Sequence, residues 1–379
     1  MIDLAAARET FEGSDDGTVG IEEEFALLDP ATLELVPAFE RLRDAAADHP
    51  VLGAGAIAGE LISSELELVS GRGDDVADAL RRQRVRRRAL FAHAAGHGVA
   101  LGATGTHPLS DYRRQHIIET EHYRRVEAGL QYVARRNNTF SVHVHVGVRG
   151  PDRAVRVCDR LRPVLPLLLA VSANSPYVDG RDSGLHSART QTFTKSFPRC
   201  GVPDPYGSWA AWADYVDLLV RTNSIVEFTQ LWWSVRPHHA FGTVEFRICD
   251  VQTTGRESDA LTELIVACVL QAAREVDAGE APPDLPGHLI EENMWRAIRH
   301  GLDGRLLDLE APRIEEFDAA ETVERLCAWS GASVDLPALN GAQRQRRAID
   351  AGATPAEVYA TCVEETRATY AMPEEETVG

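Results

Sequence analysis

Val19-Gly20-Ile21-Glu22-Glu23-Glu24-Phe25-Ala26-Leu27 places three consecutive glutamates inside a run that otherwise alternates large apolar and small residues. A strand sends successive side chains to opposite faces. Ile21, Phe25 and Leu27 therefore take one face, and Gly20, Glu22, Glu24 and Ala26 the other. Glu23 falls on the apolar side, where a carboxylate is costly unless paired, and an arginine partner is expected. Three further stretches divide in the same way. In 64–69, Glu65 and Glu67 oppose Leu66 and Leu68. In 140–148, Phe140 and four valines oppose Ser141, His143, His145 and Gly147. In 243–248, Glu245 and Arg247 oppose Val244, Phe246 and Ile248.

An antiparallel sheet with one wet face produces such alternation without any site. Solvent faces, however, mix Lys, Thr, Ser and Gln, whereas these four select Glu and His beside small residues. The favoured reading is a concave sheet lined with carboxylates. Its oxygens, with an imidazole and phosphate, suit hard divalent cations such as Mg²⁺ or Mn²⁺. The pair His143-Val-His145 also admits an iron or zinc site of the cupin or amidohydrolase kind. Cupins place a glutamate a few residues further on, and 146–150 contain none; amidohydrolases commonly use a lysine bridge, for which Lys195 is poorly placed. Either histidine could instead be a hydrogen-bonded structural residue.

The 379 residues carry 58 Asp and Glu against 39 Lys and Arg, a formal net charge of −19, which argues against nucleic acid or an anionic membrane surface as partner. Lys195 is the only lysine. No phosphate-binding Gly-x-x-x-x-Gly-Lys-Ser/Thr loop surrounds it, because Arg189 stands where the first glycine belongs and Thr194 precedes the lysine. Neither an H-R-D nor a D-F-G triplet occurs, so protein kinases are excluded too. A Schiff-base enzyme would have to use Lys195, with no supporting motif. Arginines and metal ions are left to hold any phosphate.

No apolar run approaches the roughly 18 residues of a membrane helix. The acidic start lacks the basic segment of a signal peptide, so a cytoplasmic location is expected. Six cysteines without a C-x-x-C pair read as reduced, mostly buried thiols. Residues 1–17 read as a polar arm before a single catalytic domain, 18–379, with a core over 18–280 and a helical C-terminal part over 288–372. Within it, strands are expected over 19–28, 61–70, 140–148 and 241–250. Helices are expected from an Asp74 cap to about 97, with Gly98 as stop, and over 152–173, 209–221 and 257–278. The arginines at 81, 82, 84, 86, 87 and 88 read as a solvated helix face with stems packed along apolar surface. Residues 177–206 read as a long loop and 281–287 as turn-rich.

Seven segments carry a resemblance: Gly20-Ile-Glu-Glu-Glu-Phe25, Gly105-Thr-His-Pro108, His143-Val-His-Val-Gly147, residues 168–182 (LLAVSANSPYVDGRD), Phe197-Pro-Arg199, Trp232-Trp-Ser-Val-Arg-Pro-His238 and Phe241-Gly-Thr-Val-Glu-Phe-Arg-Ile-Cys-Asp250. In this order, over roughly 18–275, the chain resembles the glutamate–cysteine ligase type 2 family of carboxylate–amine ligases. The resemblance implies an α+β, glutamine synthetase-like fold: a curved antiparallel sheet forming a funnel, with helices packed outside. It also implies ATP-dependent amide formation, in which the glutamate γ-carboxylate is phosphorylated and an amine such as cysteine displaces phosphate.

The resemblance further implies metal ligation by Glu22, Glu24, Glu67 and Glu245, with Glu60 or Glu65 as further candidates. His143 or His145 takes the place of the family's strand histidine; His145 is assigned to metal and His143 to ATP. Arg236 and Arg247 correspond to arginines near the phosphates and, with Glu22 and Glu24, are the expected catalytic groups. The 177–206 loop, carrying Arg181, Arg189 and Arg199, is the expected lid and substrate-carboxylate clamp, and His107 a further substrate contact. The implied partners are ATP, glutamate and an amine, with Mg²⁺ or Mn²⁺ as cofactor. A second copy of the chain could dock through the Arg-rich helix or the C-terminal hundred residues. Two other readings stand beside this one: the His-x-His hydrolase or oxygenase, and an inactive nucleotide-binding module.

Overall fold

Each alternating stretch finds its partner among the others. The computed structural model describes residues 2–53, 55–282 and 285–372, and among these a seven-stranded antiparallel sheet forms from β1 (Val19–Leu28), β2 (Ile57–Ala58), β3 (Glu65–Val69), β4 (Ala100–Gly102), β5 (Val142–Gly147), β6 (Val235–His238) and β7 (Thr243–Phe246). The order is β6-β7-β5-β1-β3-β2, with β4 pairing the end of β1 through Ala26 and Gly102. The expected strand over 61–70 begins only at Glu65, since Ser63 bonds instead to the His116 carbonyl. The 241–250 strand is confined to β7. Arg247 lies just beyond it, its amide donating to the Ser234 carbonyl at 2.8 Å. No strand was expected at β6, whose centre is Pro237. Proline is tolerated there because β6 is the edge of the sheet.

Helices cover the apolar face. Ile21, Val144, Val146, Val244 and Phe246 are sealed in a core shared with Pro151–Leu161 and Gly255–Asp277, while Phe25, Leu66 and Leu68 pack with Leu90 and Phe91 of α2 (Val76–Gly96) and with Tyr359 and Tyr370 of Pro355–Tyr370. Each such side chain contributes roughly 1.5–3 kcal/mol of transfer free energy, which leaves the Glu/His face as the only one free to carry polar chemistry.

Glu23 has the arginine partner its position demands. Fully buried, it accepts from Arg87 Nε and Nη2, both at 2.7 Å, from Gln83 Nε2 at 2.8 Å and from the Ser258 hydroxyl. Arg87 also reaches Asp259 at 2.5 Å and lies over the Tyr370 ring. This corrects the reading of all six helix arginines as a solvated face: Arg87 sits on the buried side of α2, only 2% exposed. Asp75, one residue after the expected cap, caps that helix, and Gly98 at φ +67° ends it.

The polar-arm expectation for 1–17 is also corrected. Leu4–Glu12 is a helix, α1, capped by Asp3; it buries Ala7 and Phe11, the latter 5.6 Å from Trp209. Leu4, Ala7 and Phe11 recur at helical spacing, a pattern masked by the charges between them. The helix expected over 152–173 breaks into Pro151–Leu161, a 3₁₀ turn at Arg162–Val164 and Leu165–Ser172, as Pro163 and Pro166 remove two amide donors. Trp209–Arg221 and Gly255–Asp277 match expectation within two residues.

The 177–206 loop contains one short strand pair, Tyr177–Val178 with Arg181–Asp182, the helix Ala188–Thr192, and Cys200–Gly201, which pairs with Trp232–Trp233. Beyond it come the C-terminal helices Gly287–His300, Thr322–Ser330, Gly341–Asp350 and Pro355–Tyr370, with a hairpin between the first two, Arg305–Asp308 with Glu315–Asp318, that helical patterning did not announce. Residues 283–284 of the turn-rich stretch and 373–379 of the expected domain lie outside the described residues. No described helix is long and apolar enough to cross a membrane.

Candidate active site

Register brings the polar face into rows. Across the sheet, Glu67 of β3 stands opposite Glu24 of β1, Glu22 opposite His143 of β5, and Glu245 of β7 between His145 and Arg236 of β6. All of these except His145 floor a cavity of about 270 Å³, which Glu60, Glu65 and Arg247 also line. One wall comes from α3 (Glu121–Leu130), with His122, Tyr123 and Val126; another from Arg189, Phe193, Phe197 and Trp232.

Glu245 is the best-held carboxylate. It is 1% exposed and accepts from Arg236 Nε at 2.5 Å and Nη2 at 3.2 Å, and from Arg247 Nη1 at 2.5 Å. Arg236 is anchored further by the Leu231 carbonyl. His145 Nδ1 is engaged with the Thr243 hydroxyl at 2.9 Å, which points Nε2 toward Glu22 (3.2 Å) and Glu245 (3.8 Å) without a hydrogen bond to either. His143 Nδ1 lies 3.2 Å from Glu22 and its Nε2 2.8 Å from the Ser141 hydroxyl. Glu24 takes the Ser141 amide.

Burial alone would push every one of these carboxyls up, and neighbours decide the outcome. For Glu22, burial is outweighed by His145 and His143, which hold its carboxyl well below the usual range. For Glu245, Arg236, Arg247 and His145 do the same. Glu60 is pushed up to about 8 by burial and by Glu24. Glu65 rises well above its ordinary value through burial, Glu24 and Glu60, and Glu67 through burial, Glu22 and Glu60. Burial lowers the His143 imidazole with help from Arg247, whereas for His145 the attraction of Glu22 and Glu245 overcomes burial and raises it.

A divalent cation fits this donor set. Ligand atoms in each of three groups, Glu22–Glu67–His143, Glu22–His145–Glu245 and Glu24–Glu60–Glu67, lie within 4.8 Å of one another. Oxygen-rich groups with at most one imidazole suit Mg²⁺ or Mn²⁺. The unpartnered His145 Nε2 and the mutual repulsion of Glu24, Glu60 and Glu67 are what a cation would relieve.

Of the residues singled out from sequence, Glu22, Glu24, Glu67, His143, His145, Arg236, Glu245 and Arg247 meet at this floor, with Glu60 and Glu65 beside them. Arg189 lines the cavity, but its terminal nitrogens are spent on the Ile248 and Arg247 carbonyls at 2.9 and 3.0 Å, which fixes the backbone that presents Arg247. The other three expected substrate contacts are elsewhere. Arg181 is exposed on the loop; Arg199 donates to the Gln230 carbonyl at 3.2 Å; His107 bonds the Leu33 carbonyl at 2.8 Å and packs on Tyr359. Lys195 is ion-paired with Glu291. Sequence reasoning missed His238, which lines the cavity two residues after Arg236 on the same face of β6; Pro237 concealed the alternation. It also missed Tyr123 and Val126, whose helix carries no local sign of a site.

In fold the protein resembles glutathione synthetase and glutamate–cysteine ligase structures, with an antiparallel sheet and helices. It superimposes on a bifunctional glutathione synthetase from Pasteurella multocida with a TM-score of 0.67 and 14% identity, over 96% of this chain and 54% of that one, so it spans about half of the bifunctional protein. With a glutamate–cysteine ligase from Francisella tularensis, solved in complex with AMP, the TM-score is 0.64 at 11% identity, over 96% and 91% of the two chains.

Sequence defines the relation more closely. The profile of Glutamate-cysteine ligase family 2 matches residues 18–370, and a Rubrobacter xylanophilus protein provisionally named glutamate–cysteine ligase 2-2 is 40% identical over 327 residues, 86% of this chain and 83% of its own. The chain is a member of glutamate–cysteine ligase family 2, an enzyme of the ATP-dependent carboxylate–amine ligase type.

Proposed function

We propose that this enzyme joins the γ-carboxylate of glutamate to an amine, cysteine or one like it, in a glutamine synthetase-like funnel, through an acyl phosphate. The observation that carries this reading is the adjacency, in one cavity, of three oxygen-rich metal groups and two arginines locked to Glu245. In the first step a γ-carboxylate oxygen bonds to the terminal phosphorus of ATP as the bond to ADP breaks. In the second the amine nitrogen bonds to the acyl carbon, phosphate leaves, and the nitrogen gives up a proton.

The first step brings two anions together and the second expels a phosphate anion, so cations must gather where that charge collects. Glu22, Glu24, Glu60, Glu67, His145 and Glu245 would hold Mg²⁺ or Mn²⁺, which when bound screens the triphosphate and aligns its terminal phosphate. Arg236 and Arg247 stabilise charge on the transferred phosphoryl group; Arg247 Nε is buried without a partner and is available as a donor. His143, between Glu22 and Arg247, orients the nucleotide phosphates. Phe193, Phe197 and Trp232 restrict water at the wall, protecting the acyl phosphate. Six free thiols suit a reducing, cytoplasmic setting.

A His-x-His hydrolase or oxygenase would gather both imidazoles on one ion. His143 and His145 instead fall in different groups, each among carboxylates. The expected result is Mg²⁺-dependent ADP release that requires both glutamate and an amine, with the amide identified by product mass, and its loss in Glu22→Gln and Glu245→Gln. No ADP from any combination of glutamate and amine, together with tight iron or zinc binding, overturns the reading.

A further inference from the structure

Asp250 ends one of the segments singled out in the sequence, 241–250, yet it lines no part of the cavity and has no role in the chemistry above. It is fully buried. Its carboxyl oxygens accept from the Asn174 amide at 2.8 Å, the Ser175 hydroxyl at 2.6 Å and the Ser187 hydroxyl at 2.9 Å, and Arg189 Nη1 stands 3.6 Å away. Asn174 and Ser175 come from a second of those segments, 168–182, and Gly105 from a third. A Cβ on Gly105 would stand 2.7 Å from Asp250 Oδ2, so the carboxyl rests against bare backbone. Burial pushes this carboxyl above its ordinary value, which Arg189 and the other donors oppose; what its surroundings use is the position of two acceptor oxygens.

The groups it gathers all lead to Arg189. Ser187 caps the helix Ala188–Thr192 by accepting the Thr190 amide at 3.2 Å, and the Ser175 hydroxyl accepts the Arg189 amide at 3.1 Å. Asp250 therefore fixes where the Arg189 side chain leaves the backbone. That side chain, 2% exposed, returns to the segment Asp250 came from, donating Nη1 to the Ile248 carbonyl and Nη2 to the Arg247 carbonyl. A closed clamp results. It is needed because β7 ends at Phe246: from there strand register no longer aims the chain, and Arg247 is held by the Ser234 carbonyl on its amide side and by Arg189 on its carbonyl side.

Resting on the ligase reading, we infer that Asp250 is a positioning residue for phosphoryl transfer, acting through Ser175, Ser187 and Arg189 to hold the backbone that aims Arg247 at the transferred group. Arg247 meets charge that develops as the phosphoryl group moves, so a loosened clamp is felt in kcat more than in KM. A displacement of about 1 Å at such a group costs on the order of a hundredfold.

Asp250→Asn tests the two oxygens, because in either orientation its NH₂ meets a group that only donates, the Asn174 amide or Arg189. Ser175→Ala removes one hydroxyl from the same clamp and serves if the first variant does not fold. Full-length enzymes are assayed for ADP release with Mg²⁺–ATP, glutamate and cysteine, or whichever amine best supports release. We expect kcat to fall about a hundredfold in Asp250→Asn and about tenfold in Ser175→Ala, with the KM for ATP and glutamate within about threefold. The deciding measurement is a double-mutant cycle with Arg247→Lys. In that background each variant should lower kcat by less than about threefold, because the group it positions is already altered. An undiminished loss in both backgrounds overturns the inference, as does a raised KM with kcat unchanged. If no amine gives ADP the ligase reading fails, and crystal structures of the wild type and Ser175→Ala decide the positioning separately. Arg247 moved off Glu245 sustains it; Arg247 superimposed on its wild-type place overturns it.

Discussion

On the β7 side of the cavity floor, Glu245 sits between Arg236, Arg247 and His145 and is held firmly ionised; on the β3 side, Glu60, Glu65 and Glu67 crowd against Glu24 and are driven toward the protonated state. Both halves use glutamate around one cavity: Glu245, Glu65 and Glu67 are buried on the same face of the sheet, and Glu60 lies partly buried just beyond β2. The neighbours differ. The compensated half already has its cations and presents spare N–H groups to anions, whereas the crowded half stores repulsion that an incoming cation releases. A reaction that brings phosphate, carboxylate and amine to one place can use both.

Removing a cation from the compensated half should break this contrast most severely. Arg236→Met leaves Glu245 with one arginine and Leu231 without its donor. ADP release should fall about 10²–10³-fold, and chemical denaturation should show a loss of about 3 kcal/mol. Unchanged stability would mean that Arg247 alone suffices to hold Glu245.

The crowded half offers a pH test of intermediate size. Because Glu60 titrates at about 8 in the folded protein against an ordinary 4.5, the native metal-free state keeps a proton there that the unfolded chain has released. Stability from this group is fully present below about 4.5 and is lost as pH rises through 8; Glu65 and Glu67 act in the same direction. With chelator present, Tm should fall between pH 6 and 8.5. Mg²⁺ should remove most of that fall, and Glu60→Gln should flatten the metal-free curve while weakening Mg²⁺ binding. A metal-free Tm that rises over the interval would contradict the contrast.

The smallest effect sharpens the boundary of the site. Arg181 is exposed on the loop and outside the cavity lining, so Arg181→Ala should change the KM for glutamate less than about twofold and stability by less than about 0.5 kcal/mol. A tenfold rise in KM would show that the loop closes over the substrate after all.

Much of the floor was legible beforehand because strand alternation is local: residues two apart share a face wherever the chain is extended. Glu22, Glu24, Glu67, His143, His145 and Glu245 were found that way, and Glu23 was recognised as needing an arginine. Arg181, Arg199 and His107 were placed by their chemical type within a loop or motif, where no periodicity constrains direction, and the structure turns them elsewhere. Tyr123 and Val126 escaped because a helix wall across a cavity leaves no pattern in its own sequence.

By itself, then, the sequence determined a sheet with one apolar and one carboxylate-rich face, and, through its solitary lysine, a reliance on arginine and metal for holding phosphate. Only the tertiary structure decided which glutamates are neutralised and which are crowded, and that of the helix arginines Arg87 is the one that turns inward to Glu23, 64 positions away. Periodicity depends on neighbours in the chain, but a carboxylate's charge state depends on neighbours in space, and those are set by strand register and helix docking.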